Sequence, residues 1–152
     1  MSYSHRNSRE VHTLLELLKP RLALSARVEV RWWADPDLPV GTDWFETIER
    51  RMAECEYGLH MISPEFFASE FIRTHEIPPF IGAGAKRTLP VGVYRVPLES
   101  DRDLAGFGRL QVFRPGDRWF GELTERRAKV RFADELADRI LDVIDDQRVA
   151  GW

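Results

Sequence analysis

"GLHMISPEFFASEFIRTHEIPP", residues 58–79, decides the fold, because one short stretch holds a strand, a cap and a helix in succession. "GLHMIS" is an apolar run of strand length, and Ser63 closes it as a helix N-cap. Pro64 suits the first helical position and Glu65 lies near the positive end of the helix dipole. The far end is less orderly. Glu76 stands just before Ile77-Pro78-Pro79, where the negative pole of the helix disfavours a carboxylate. Glu76 follows Ser69 by two helical turns, so an unbroken helix places both on one face. A residue that breaks a local rule in this way marks either a frayed last turn or a functional site.

On either side of this stretch, strand and helix patterns alternate. Residues Ser8 to Lys19 form an amphipathic helix with Val11, Leu14, Leu15 and Leu18 on one face, and Pro20 is expected to end it. "RVEVRWWAD" reads as a strand running into the polar turn "DPDLPVGTD". Asp43 as N-cap and Glu46 three residues on make a capping box, followed by a stripe of Phe45, Ile48, Met52 and Cys55. After the loop "IGAGAKR" come the strand "LPVGVYRVPL" and a shorter one in "GRLQVF". Ala133, Leu136, Ala137, Ile140, Leu141 and Ile144 recur at helical spacing in the last helix.

This alternation predicts an α/β domain around a parallel sheet, whose ligands bind beyond the carboxyl ends of the strands. That edge comprises "SYSHRN", the "DPDLPVGTDW" turn, the Ser63 cap and the chain after "VYRVPL". The helix starts so early that "MSYSH" supplies only the tail of a first strand: the true start lies upstream, the chain is excised, or the sheet is shortened.

Composition narrows the function. At 152 residues the chain forms one domain able to bury roughly 70% of its unfolded surface. Hydrophobic residues at 43% and charged residues at 31% suit a soluble protein. A net charge of −3, with arginines interleaved among acids in "TERRAKVRFADELADR", argues against direct nucleic-acid binding. The single cysteine, Cys55, cannot form an internal disulfide and fits a reducing, cytoplasmic setting. There is no run of 18 apolar residues and no signal-peptide core, so no membrane span is expected.

Chemistry narrows it further. His5, His12, His60 and His75 lack metal-ligand spacing, so no metal is expected. No G-x-S-x-G elbow occurs, and "GAGAK" lacks the G-K-[ST] ending of a phosphate loop. A phosphate-accepting receiver needs acids after the first strand, and "SYSHRN" has none. A lone carboxylate at a cleft, with aromatics and an arginine nearby, is chemically sufficient for cleavage of the nicotinamide–ribose bond of NAD+. The leaving group is a cationic pyridinium that needs no acid, and one carboxylate can bind ribose hydroxyls and stabilise an oxocarbenium-like transition state.

The segments "SYSHRN", "VRWWADPDLPVGTDWFETIERRMAECEYGLHMISPEFFASEFIRTHE" and "LPVGVYRVPL" together resemble the bacterial form of the Toll/interleukin receptor (TIR) domain. The resemblance runs from Ser2 to about Leu98 and resumes more weakly in the terminal helix. Its most specific pieces are "SYSH", the Gly41-x-x-Trp44 junction and "ISPEFFASEFIRTHE". It implies a flavodoxin-like three-layer α/β sandwich with a central five-stranded parallel sheet, the first strand truncated here. The domain would span 1–146, with 147–152 a tail or linker stub.

Catalytic members cleave NAD+ as substrate, needing no cofactor, and give nicotinamide with ADP-ribose or a cyclic isomer. Ser69, Phe71 and Glu76 match their serine–aromatic–glutamate pattern, so the resemblance makes Glu76 the catalytic residue. It places Ser4, His5 and Arg6 at the nucleotide site, Arg6 toward the pyrophosphate, and Ser63 beside the ribose. Residues 35–41, beginning at Asp35, resemble the mobile loop that gates the site and mediates self-association. Trp33 and Trp44 flank that loop as stacking surfaces or core residues. The resemblance further implies an effector of bacterial anti-phage defence, activated by oligomerisation and coupled to a fused or partner sensor. A non-catalytic interaction module and a nucleoside deoxyribosyltransferase-like enzyme stand as alternatives.

Overall fold

A computed structural model describes residues 1–33, 43–99 and 101–150, with side chains as far as 146. The "DPDLPVG" turn, and Asp35 within it, lie outside the described residues. The stretch quoted above forms strand β1 (Tyr57–Ile62), which pairs in parallel with β2 (Arg87–Gly92), from Tyr57 opposite Arg87 to Ile62 opposite Gly92. A parallel pair needs a crossover, and the chain between them supplies it, beginning with the short helix α3 (Pro64–Ala68).

The strand period of two divides the side chains of β1 between two cores. Leu59 and Met61 join Val91 and Val93 under the helices α1 (Ser8–Ala23) and α4 (Arg126–Ala150). Ile62 enters a second cluster with Phe66, Phe67, Phe107 and Trp119 on the opposite face. Helices on both faces of a parallel pair make this an α/β fold. Of the terminal-helix positions, Ala133, Leu136, Ala137 and Ile140 are buried and Leu141 and Ile144 partly so. The helix continues to Ala150, through most of the stretch expected as a tail.

On either flank the ladder narrows to one bridge. Ser2 bridges His60, donating its N–H to the Leu59 carbonyl and accepting from the Met61 N–H, each at 2.9 Å. Beyond β2, Phe113 bridges Val91, so "GRLQVF" contributes one bridge and not a strand. Two prolines explain this. Phe113 bonds to Pro90 O and Gly92 N. The next rungs of a parallel ladder would require N–H groups on Pro90 and Pro115, which proline lacks. The "RVEVRWW" segment also differs from expectation. Val28 is buried and Val30 and Trp32 pack on the α1/α4 core, so its alternation is realised, but residues 28–33 form no ladder among the described residues.

Three helical expectations change. Pro20 lies inside α1. An internal proline costs about 3 kcal/mol, but burying Leu22 returns about 2–3 kcal/mol and Arg21 pairs with Asp134 of α4. In α2 (Trp44–Glu54), Ile48 and Met52 are buried as expected, but Cys55 is half-buried and Phe45 is 38% exposed. The helix read as running from Ser63 to Glu76 is broken. Ser69 adopts an extended conformation (φ −77°, ψ 114°), and the chain re-forms as a π turn over Ile72–Glu76.

Candidate functional site

At the carboxyl end of β1, the Ser63 hydroxyl accepts from the Phe66 N–H at 3.0 Å and donates to Asn7 Oδ1 at 2.6 Å. The Asn7 amide in turn donates to Glu65 at 3.3 Å. Ser63 and Asn7 are both buried, so this network locks the turn after the first segment onto the start of α3. Glu65 titrates below the usual carboxylate range. Its own backbone N–H contributes most, then the Asn7 and Ser63 side chains and the charge of Arg6, with burial opposing. Arg6 therefore acts on Glu65 here. Ser4 is buried and its carbonyl accepts from Asn7 at 2.8 Å, whereas His5 is exposed beside Tyr3, ring centres 5.6 Å apart.

Glu76 belongs to a second cluster. Ser69 caps the restarted helix, its hydroxyl accepting from the Ile72 N–H at 3.4 Å. Ile77 then donates to the Ile72 carbonyl at 2.9 Å, closing the π turn, and Pro78–Phe80 continues as a 3-10 turn. Single π turns inside helices are frequent at functional sites. The break means that Ser69 and Glu76 do not share one face of a continuous helix. Instead the half-buried Glu76 carboxylate reaches the sheet and accepts a hydrogen bond from the Ser2 hydroxyl. A cavity of about 20 Å³, room for one water, lies between Glu76, Ser2, Trp33, Cys55, His60 and Phe80. Gly58 permits this closeness, since a Cβ there would meet the His60 ring at 2.4 Å and the Phe80 ring at 2.7 Å.

A third group lies on the surface beside the π turn. Trp44 at the start of α2 is 46% exposed, its ring centre 4.9 Å from that of Phe71. Phe71 stacks on His75 at 4.8 Å, and Phe45 meets His75 edge-on at 5.0 Å. The structure thus joins the predicted Trp44 and Phe71 and adds Phe45 and His75. The four-residue offset of Phe71 and His75 is a helical one, but nothing local signals that Trp44 and Phe45 of α2 meet them, because the two elements are distant in sequence.

Trp33 lies apart from these rings. Its carbonyl accepts from the Met1 amino group at 2.7 Å, and its indole Nε1 is buried with no partner among the described residues. It borders both the small cavity and a wider one of about 870 Å³, lined by Val28, Val30, Trp32, Tyr57 and Ile140 among others. That wider cavity adjoins Tyr57, the first residue of β1, not the carboxyl edge that the fold class singles out. Among the described residues no three His, Cys, Asp or Glu side chains gather as a metal site, and no helix is long and apolar enough to cross a membrane.

Ser2 is the residue that sequence reading passed over. Its neighbours Ser4, His5 and Arg6 drew attention as loop residues, while a serine in a single bridge carries no local mark of its partner 74 residues away. No protein-family model, curated protein or solved structure matches the chain.

Proposed function

We propose that this chain is a TIR-type NAD+ glycohydrolase with Glu76 as its catalytic carboxylate. The observation that carries the reading is the half-buried Glu76, set in a π turn, hydrogen-bonded to a serine bridged to β1 and adjoining a partly exposed aromatic cluster. A carboxylate so held is suited to stabilising the cationic ribosyl centre that forms as nicotinamide departs. Nicotinamide leaves as a neutral base with the bonding electron pair, and water or an internal adenine nitrogen completes the transfer. Trp44 and Phe71 offer an aromatic face to a flat ring. Ser63 and Asn7 hold the adjoining turn, with Arg6 exposed at its surface.

The finer fold belongs to the same proposal. A five-stranded flavodoxin-like sheet would order 28–33, the Ser2 segment, β1, β2 and the Phe113 segment side by side. The single bridges on both flanks of β1 and β2 support that order. Activation by self-association through residues 35–41, a sensor fused or in partnership, a cytoplasmic setting and a role in phage defence complete the reading.

A non-catalytic interaction module is the second reading, favoured by the exposure of Trp44 and Phe45. Chromatography of NAD+ incubated with concentrated or artificially oligomerised protein separates the two. Wild type should release nicotinamide, and Glu76→Gln should lower the rate at least ~100-fold, the scale of losing one transition-state electrostatic contact, with thermal stability retained. Equal rates in the two proteins would remove Glu76 from the mechanism. No turnover under any assembly condition would favour the module, and turnover of a deoxynucleoside in place of NAD+ would indicate a deoxyribosyltransferase.

A further inference from the structure

Ser2 and Glu76 meet through two independent constraints. Ser2 is held on both sides of its backbone, through its N–H to Leu59 O and its carbonyl to Met61 N. Met1 and Tyr3 pack against the α1/α4 core, which leaves the Ser2 side chain on the opposite face of the sheet, 7% exposed. Glu76 arrives over that face from the π turn. A hydroxyl on a backbone hydrogen-bonded on both sides is a fixed donor, whereas a glutamate side chain has three rotatable bonds to restrain. Donation of an O–H to a carboxylate favours the anion and orients the accepting oxygen.

We infer that Ser2 is a positioning residue for Glu76, holding its carboxylate ionised and in one orientation above the sheet. This rests on Glu76 being the catalytic carboxylate. Among the described residues, the titratable groups beside it include His60 and Tyr57 on β1, Cys55 after α2 and the Met1 amino group, with His75 next to it on its own turn. Of these, His60 is a buried neutral imidazole turned to Thr88, so it adds no positive charge near neutrality. The Ser2 hydroxyl touches the carboxylate directly.

The test has two arms. In protein carrying ¹³C at the glutamate carboxyls, the Glu76 resonance, assigned with Glu76→Gln, is titrated in wild type, Ser2→Ala and Ser2→Thr. The pH profiles of kcat and KM for NAD+ are measured on the same assembled proteins. Loss of the donor should move the Glu76 midpoint upward by about one pH unit. The acid limb of kcat should move with it, and kcat near neutrality should fall ~10-fold with KM changing far less. Ser2→Thr, which keeps the hydroxyl, should restore both. Ser2→Cys, close in volume but a weak donor, makes the same comparison if alanine compromises folding. A Glu76 midpoint unmoved by loss of the hydroxyl overturns the inference, whatever the activity. A midpoint that moves in a protein that never consumes NAD+ overturns the catalytic reading of Glu76 and leaves the pair a structural one.

Discussion

His60 shows how far the behaviour of one residue can depart from its sequence context. It is 1% exposed, with Nδ1 2.6 Å from Thr88 Oγ1 and the rings of Phe66, Phe80 and Phe107 around it, their centres at 6.0, 5.0 and 5.3 Å. Burial pushes its pKa down to about 3. The nearby Met1 amino group acts in the same direction and a hydrogen bond to the Gly58 backbone opposes them. The unfolded chain takes up this proton near the ordinary value of about 6.5, so between those limits the unfolded state binds more protons. Stability is therefore complete above about pH 6.5 and declines as pH falls toward about 3. Urea denaturation should show wild type losing about 2–3 kcal/mol between about pH 7 and pH 4.5, and His60→Gln should remove that part of the slope. An identical slope in the variant would show that other groups carry it. The sequence marked His60 only as a histidine without metal spacing. Its surroundings come from residues far along the chain, and periodicity does not report them. Ser63 is the contrary case: Ser-Pro-Glu is a local cap signature and was legible, although its buried partner Asn7, 56 residues away, was not.

At the scale of elements, long-range contacts decide where helices and strands stop. Capping by Asp43 was legible, and its side chain accepts from the Glu46 N–H at 3.0 Å. The other end of α2 is closed from outside. The Lys86 ammonium donates to the carbonyls of Met52, Ala53 and Cys55 at 2.7, 2.5 and 2.8 Å, at the negative pole of the helix. Lys86→Met keeps the aliphatic stem and removes the three donors, and should lower stability by about 1–2 kcal/mol. An unchanged thermal midpoint would mean that water replaces the lysine without loss. Pro20 and Ser69 reverse the local expectation in opposite senses. The proline is carried within a helix because Leu22 beyond it is buried. Ser69 interrupts a helix that pattern alone would run straight through, caps the next turn and lets the π turn direct Glu76 to Ser2. Propensity acts over a turn or two, and tertiary burial outweighs it by a few kcal/mol.

For the molecule as a whole, the two cores on opposite faces of β1 and β2 form the scaffold, and the three candidate clusters are distributed over it. The polar lock of Ser63, Asn7 and Glu65 is internally satisfied. The Glu76–Ser2 pair is half sheltered, and the aromatic group of Trp44, Phe45, Phe71 and His75 faces outward. If assembly completes the active site, as the proposed function requires, specific activity should rise with protein concentration. It should fall by about tenfold on tenfold dilution in the weakly associated range, by mass action. NAD+ turnover per mole measured across that series checks this, and a flat response would indicate a site complete within one copy. Local pattern in the chain was enough to read β1, β2, the cap at Ser63, the buried stripe of the last helix and the candidacy of Glu76. These follow from periodicity and nearest-neighbour chemistry, which act over a few residues. Contacts between distant segments set the rest: Pro90 and Pro115 confine the Phe113 flank to one bridge, Ser69 breaks the helix, and Glu76 bonds to Ser2. Each of those depends on which backbone groups meet across tens of residues, where hydrogen-bond geometry and burial choose among arrangements that local pattern leaves equivalent.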